Sequence, residues 1–295
     1  RLEPAGAVVR VLVTGAAGML GQAVMPALAA AGHEARGGDL PGMDVTRLDA
    51  LAGAAADFRP DWILHLAAFT RVDDCESRRD EAFRVNALGA RNAAMAADGC
   101  GAALLAVSTD YVFDGAAAAP YREEDTAAPA SVYGASKWAG EQAVRAVLPR
   151  HVIVRTSWLF GPGGTNFVDT ILARARAGQG LRVVDDQRGS PTFTGDLAEG
   201  LLRLMGAARF GTYHCTNSGD CTWYDLAAHA LACAGLQVPL ERTDTASFPR
   251  PARRPAYSVL SNGRFEQATG WRMPPWRDAV RRHLEATAGA SGRER

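Results

Sequence analysis

Lysine is all but missing from this chain: of its 32 basic residues only Lys137, in "SVYGASKWAG" (Ser131 to Gly140), is not arginine. Net charge is missing too, because 32 acidic residues balance the basic ones. Without a basic field the molecule cannot hold nucleic acid or an anionic membrane by charge alone, so an anionic ligand must be caught by local groups. Cysteine is scarce, odd in number and scattered over Cys75, Cys100, Cys215, Cys221 and Cys233. No Cys-x-x-Cys and no Cys/His pair at metal spacing occurs, which argues for reduced thiols and against a disulfide framework. Runs of apolar residues long enough to span a bilayer are absent. The first strand-like run begins by Val8, so no signal peptide is expected. A cytoplasmic protein with neither membrane nor nucleic-acid partner is the expectation.

What is present suffices for a large core. At 295 residues with 47% hydrophobic and 22% charged content, the chain needs no staples to fold as one large domain or two ordinary ones. "VVRVLVT" (Val8 to Thr14) is a near-continuous β-branched run, as expected of a strand buried on both faces. A helix from about Gly18 to Ala31 and a short strand ending near Asp39 follow. "DWILHLAA" (Asp61 to Ala68), "GAALLAVS" (Gly101 to Ser108) and "HVIVRTSWLF" (His151 to Phe160) read as further strands. Between the first two, residues 78–97 have the length and alanine content of a helix. Strand and helix alternating at this spacing predict an α/β fold, a doubly wound parallel sheet of the Rossmann type. The later half is looser: a turn at "GPGGTNF", a Gly/Pro loop at "DDQRGSPT", a strand at "GTYHCT", a helix at "WYDLAAHALACAG", and a last helix from about Trp276 with a frayed tail from Gly289. The expected division is a dinucleotide-binding domain over 1–158, with a return segment about 190–218. A smaller interleaved substrate-binding part takes 159–189 and 219–295.

"VTGAAGMLG" places Gly15, Gly18 and Gly21 directly after the first strand and at the opening of the first helix. Gly15 permits the tight turn, Gly18 a close approach of backbone to a pyrophosphate, and Gly21 close packing of the helix on the sheet. The helix N-terminus then aims its free N–H groups at the phosphates. Asp39 follows at the distance where a carboxylate accepts from the adenosine ribose, which would favour NADH over NADPH; a solvated turn residue is the equal alternative.

Tyr133 and Lys137 lie four apart in "YGASK", so both side chains project from one helical face. Such pairs also occur on ordinary solvated helices. Here the pair precedes a late strand, where a doubly wound fold delivers it to the carboxyl ends of the sheet. A phenol near pKa 10 is a reluctant acid, and an adjacent ammonium lowers it toward the working range. Arginine, a wide planar fork, cannot replace a compact ammonium wedged beside a phenol and a ribose. Thr109, at the end of the Gly101 to Ser108 strand, adds a hydroxyl able to share a carbonyl oxygen with Tyr133.

Taken with "DVT", "VDDCE", "VN", "VSTDYVFDG", "VYGASKWAGE", "VRTSWLFGPGGTNFV", "DDQRGSPT" and "RPAYSVL", these strings resemble the extended short-chain dehydrogenase/reductases, and within them the dTDP-4-dehydrorhamnose reductase group. The resemblance runs almost the whole length. It implies hydride transfer from NADPH or NADH to the C4 ketone of a dTDP-linked 4-dehydro-6-deoxyhexose. Tyr133 would then be the proton donor, Lys137 its tuner and ribose clamp, and Thr109 the ketone-orienting hydroxyl. Asn86 would serve a proton relay. Gly15, Ala17, Gly18, Met19, Leu20, Gly21, Asp39, Asp44, Val45, Leu66, Ala67 and Ala68 would hold the cofactor. Thr70, Val72, Asp110, Trp158, Asn166, Gln187 and Arg254 would meet the nucleotide sugar, Arg254 by pairing the diphosphate.

Phe69, Arg71 and Arg188 depart from the group's usual residues on the substrate side, which puts the sugar's identity in question. Some members bridge two subunits through a metal held by carboxylates near the glycine loop; "GQAV" offers none, so no metal is expected, and the chain is a monomer or homodimer. Three rivals stand beside this reading. A 4,6-dehydratase needs a Glu after Thr109 and Asp110, where this chain has Tyr111. A 4-ketoreductase for a natural-product deoxysugar, of dihydrostreptose type for example, stays open. A non-catalytic dinucleotide-binding subunit would not need Thr109, Tyr133 and Lys137 together.

Overall fold

The computed structural model describes residues 8–291. Its centre is a parallel sheet whose first five strands are β1 (Arg10–Thr14), β2 (Glu34–Gly38), β3 (Trp62–His65), β4 (Ala103–Thr109) and β5 (His151–Thr156). Outside it lie β6 (Leu159–Phe160), β7 (Leu181–Val184), β8 (Arg188–Gly189) and β9 (Thr192–Phe193). The chain then returns, and β10 (Gly211–His214) pairs with β5 as the sixth strand. β11 (Cys221–Thr222) and β12 (Leu240–Thr243) pair with β8 and β7. The helices, in order, are α1 (Met19–Ala30), α2 (Leu48–Phe58), α3 (Val72–Ser77), α4 (Arg79–Phe83), α5 (Gly89–Cys100), α6 (Val132–Val147), α7 (Phe167–Arg176), α8 (Thr194–Ala207), α9 (Trp223–Cys233), α10 (Gly263–Thr269) and α11 (Trp276–Ser291).

Alternation along the strands divides the core in two. Val11, Val13, Leu64, Leu105, Val152 and Val154 face one side, where α1 and α8 cover them with Leu20, Val24, Leu28, Leu197 and Leu204. Leu12, Ile63, Leu104 and Ile153 face the other, against Leu51, Phe58, Ala93, Ala97 and Val144 of α2, α5 and α6. Each aliphatic side chain so buried contributes about 1.5–3 kcal/mol of transfer free energy, which is why these runs read as continuously apolar. A third cluster joins α7, α9 and α11 with β7 in the later half.

Sheet order β10-β5-β4-β3-β1-β2 makes the chain reverse direction between β1 and β3. That is where open α/β sheets hold their ligands, outside the carboxyl ends of the strands.

Three expectations change in detail. The run from His151 to Phe160 is not one strand: Trp158 adopts φ 47°, a left-handed conformation that ends an extended ladder, and β6 pairs with β9 instead. The helix over 78–97 continues to Cys100 and contains a π-helical turn, Arg84–Leu88, between α4 and α5. The last helix runs to Ser291, past the Gly289 where a frayed tail is expected; the rest of that tail lies outside the described residues.

Candidate active site

The glycine loop sits at the switch point. A Cβ on Gly15, which has φ +74°, would lie 2.6 Å from the Ala67 backbone nitrogen, so the loop crosses the end of β3 with no room for a side chain. Ala67 and its neighbours Leu66 and Ala68 therefore floor the crevice. Around Gly18, the residue preceding α1, only the Gly15 carbonyl stands within 4 Å of such a Cβ, leaving open space in front of the helix N-terminus. Gly21 differs from expectation. Its Cβ would meet the Gly15 and Ala16 carbonyl oxygens at 2.3 and 2.5 Å, so it seats the helix on the loop's own backbone, not on the sheet. Met19 and Leu20 belong to the same first turn, whose N–H groups have no helical acceptor.

Asp39 is drawn into this loop: its Oδ2 accepts the Ala17 N–H at 2.7 Å. Half of the carboxylate is spent on holding the turn, which weakens its use as a discriminator between NADH and NADPH. Asp44 accepts from the Thr46 N–H and hydroxyl, and these hydrogen bonds hold its carboxyl below the usual range. Val45 is fixed against α5, its carbonyl accepting from Asn92 at 3.0 Å.

β4 and α6 bring the reacting groups together. Thr109 ends β4, and Ser131 caps α6 by accepting the Gly134 N–H at 3.1 Å. A second cap comes from Glu76 of α3, which accepts the Val132 N–H at 2.9 Å. These caps aim the first turn of α6, and with it Tyr133, at the end of β4. The Thr109 hydroxyl lies beside the Tyr133 phenol and works to lower its pKa. Lys137 is 6% exposed and donates from Nζ to the Val107 carbonyl at 2.7 Å.

Burial sets the titration here. It pulls the Lys137 ammonium down to about 8, with Glu141 opposing, and pushes the Tyr133 phenol above its ordinary value despite the Thr109 hydroxyl beside it. A lowering of Tyr133 by Lys137 is therefore not what this geometry displays, because desolvation dominates and the ammonium is engaged at Val107. Asn86 commits its side chain to structure: Oδ1 accepts from Phe69 N–H at 2.8 Å, while Nδ2 donates to the Phe69 carbonyl and to Ser136 Oγ. It staples the segment after β3 to α6.

Sequence reasoning passed over the groups beneath. Glu141, one turn beyond Lys137, accepts four hydrogen bonds. Ser108 Oγ donates at 2.6 Å, Arg155 Nε and Nη2 at 2.9 and 2.8 Å, and Arg145 Nη2 at 2.9 Å. Arg155 is 1% exposed. The signal was visible as an arginine inside the apolar run "HVIVRT" and a glutamate at i+8 from Tyr133.

On the substrate side Asp110 is buried, which raises its carboxyl to about 6; Ser258 and Thr109 offset this in part. Tyr111 meets Tyr133 edge-on at 5.6 Å, and burial pushes its phenol up to about 12. Arg254 lies beside Tyr111, whose pKa it works to lower, and pairs with Asp73 at 2.9 Å, so Tyr111 stands between it and Tyr133. Thr70 is exposed and Val72 half-buried at the start of α3. Arg71 pairs outward with Asp74, and Arg188 pairs with Asp220.

Trp158 stacks on Trp223 at 3.6 Å and 8°. A left-handed tryptophan costs on the order of 1–3 kcal/mol, and Gly189 has to be glycine because a Cβ would sit 2.6 Å from the indole. Gln187 props this wall, accepting from Trp223 Nε1 and donating to Thr245. Trp223 was not foreseen, as a helix-opening aromatic looks like core. Asn166 is spent on capping α7: it accepts the Asp169 N–H and donates to the Gly161 carbonyl. The structure does not bring it to the crevice.

Comparison with known proteins agrees with this geometry. Residues 9–288 match the family described as the RmlD substrate binding domain. The dTDP-4-dehydrorhamnose reductase of Streptomyces griseus is 42% identical, covering 96% of each chain. A Streptomyces antibioticus protein, named "Probable dTDP-4,6-dihydroxy-2-methyloxan-3-one 4-ketoreductase", is 41% identical over 92% of this chain and 93% of its own. Among solved structures, the dTDP-4-dehydrorhamnose reductase of Bacillus anthracis in complex with NADP superposes with a TM-score of 0.92 at 37% identity, covering 95% of this chain and 100% of that one.

Proposed function

This chain belongs to the dTDP-4-dehydrorhamnose reductase family, and from that membership we propose that it reduces the C4 ketone of dTDP-4-dehydro-L-rhamnose to dTDP-L-rhamnose with NADPH or NADH. The observation that carries the reading is the Thr109 and Tyr133 hydroxyls side by side at the carboxyl end of β4, with Lys137 on the same helix face. The crevice fits a dinucleotide, since Gly18 leaves open space before the N-terminus of α1 where a pyrophosphate needs close approach, and the nicotinamide would supply the hydride.

The chain's own residues do the rest. Tyr133 keeps its proton at neutral pH, the form a ketone reduction needs, and yields it as negative charge builds on the substrate oxygen. Thr109 orients that oxygen. Lys137, one turn along the same helix face, clamps the cofactor ribose. Trp158 walls the sugar, and Arg254, with Tyr111, takes the diphosphate side. With Tyr111 where a dehydratase needs a second carboxylate, water elimination has no base. Among the described residues no helix is long and apolar enough to cross a membrane; the proposed setting is cytoplasmic, as a monomer or homodimer.

The test is to incubate the protein with each nicotinamide and dTDP-4-dehydro-L-rhamnose, follow loss of the reduced cofactor's absorbance, and identify the sugar. No oxidation with either cofactor sinks the proposal. The likeness to the S. antibioticus protein favours one second reading, a 4-ketoreductase of another deoxysugar, and a different C4 epimer as product would select it.

A further inference from the structure

Lys137 is short of acceptors. An ammonium carries three N–H donors, and here one is bonded, to the Val107 carbonyl, while the group is 6% exposed. Beneath it lies a cavity of about 10 Å³, lined by His65, Asn86, Ser108, Lys137 and Glu141 among others. That is on the order of the room one water requires, provided polar partners surround it. Glu141 is no substitute acceptor, because its oxygens already serve Ser108, Arg145 and Arg155.

Opposite the ammonium, His65 at the end of β3 is 1% exposed. Its Nδ1 lies 2.9 Å from Thr14 Oγ1. Its Nε2 is buried and has no hydrogen-bond partner in the protein. Desolvation, aided by the Lys137 charge, lowers the imidazole to about 3, so it is neutral wherever the protein works. A neutral ring with an unused nitrogen faces an ammonium with unused protons across a water-sized gap.

We propose that His65 is a positioning residue for Lys137, acting through one water molecule held between its Nε2 and the Lys137 ammonium. The water accepts from Nζ and donates to Nε2, which requires the Nδ1–H tautomer with Thr14 as acceptor. Thr14 immediately precedes Gly15, so the cofactor loop and the catalytic ammonium are joined through β1, β3 and one solvent molecule. The water supports the charged form of Lys137. The other groups facing Lys137 are Glu141 and Tyr133 from α6, the Val107 carbonyl and Ser108 from β4, and Asn86 from the π turn; Arg155 of β5 and Arg145 reach it only by way of Glu141.

The inference rests on the role given to Lys137 above, and two of its readouts need no activity. In the full chain, side-chain nitrogen NMR should report His65 as the Nδ1–H tautomer, neutral from pH 6 to pH 9 on the order expected for so buried a ring. A crystal structure of the NADPH complex should place a water within hydrogen-bond distance of both nitrogens. The Nε2–H tautomer, or a cavity without that water, overturns the proposal whatever the substrate proves to be. In the assay, His65→Phe should move the alkaline limb of kcat/KM down by about one pH unit, since loss of an acceptor disfavours the ammonium. That reads as a roughly tenfold deficit at the upper pH with near-normal turnover at the lower. His65→Gln, whose amide oxygen can accept from the same water, should restore most of it and serves if the Phe variant does not fold. A uniform fall at all pH values in both variants would assign His65 to packing alone.

Discussion

Arg155→Met tests whether the ion pair beneath the catalytic helix governs how that helix is held. Arg155 and Glu141 are 1% and 3% exposed, and two parallel hydrogen bonds of 2.9 and 2.8 Å join them. Methionine fills most of the arginine's apolar volume, but leaves Glu141 buried with only Ser108 and the half-exposed Arg145 as donors. Removing one partner of a buried pair costs about 3–5 kcal/mol, because the remaining charge is uncompensated. For a chain of this size that is a fall in Tm on the order of 10 °C. The double variant Arg155→Met/Glu141→Leu removes both charges and should recover much of the loss, since apolar replacement of a whole buried pair is often neutral. Thermal melts of the parent, both singles and the double provide the cycle. Turnover should drop in the single variant as well, because Ser108 and Val107, which tie β4 to α6, adjoin Thr109. A loss below about 1 kcal/mol in Arg155→Met, or strict additivity in the double, would refute the reasoning.

Three further outcomes follow from the same geometry. Gly15→Ala should abolish dinucleotide binding in a titration of intrinsic fluorescence, because the new methyl would sit 2.6 Å from Ala67 backbone at φ +74°; retained affinity would mean the loop has another seat. Lys137→Arg should keep the parent melting temperature within a few degrees but lower kcat by about a hundredfold or more, as expected for loss of a positioned acid–base partner. In the parent, activity should fade as pH rises through about 8, where burial places the Lys137 titration. A rate unchanged in Lys137→Arg, or an alkaline limb common to both proteins, would contradict that assignment.

Much of the fold was legible because its signals are local. Strands covered by helices on both faces must be apolar at every position, so Val11 to Val13 and Val152 to Val154 announce themselves. The glycine loop is equally plain, because a φ of +74° and a backbone contact leave one residue type possible at Gly15. The break at Trp158 was not legible: nothing in "RTSWLF" departs from a strand, and only the stack on Trp223, together with Gly189, accounts for the left-handed turn. What Asn166 and Gln187 hold was not legible for a related reason. An amide in a loop near the substrate side looks free for a ligand until its cap or its indole partner is seen.

By itself the sequence determined the chemistry on offer: a dinucleotide loop, a phenol and an ammonium one turn apart, a threonine at a strand end, and a single lysine where every other cation is arginine. Each of these depends on neighbours within a few residues. The tertiary structure alone decided how those groups are held and charged. Glu141 and Arg155 come from α6 and β5, and His65 and Lys137 from β3 and α6, yet each pair is buried together beneath the catalytic helix. Burial across that distance, which no local pattern encodes, keeps His65 neutral and pulls Lys137 down to about 8.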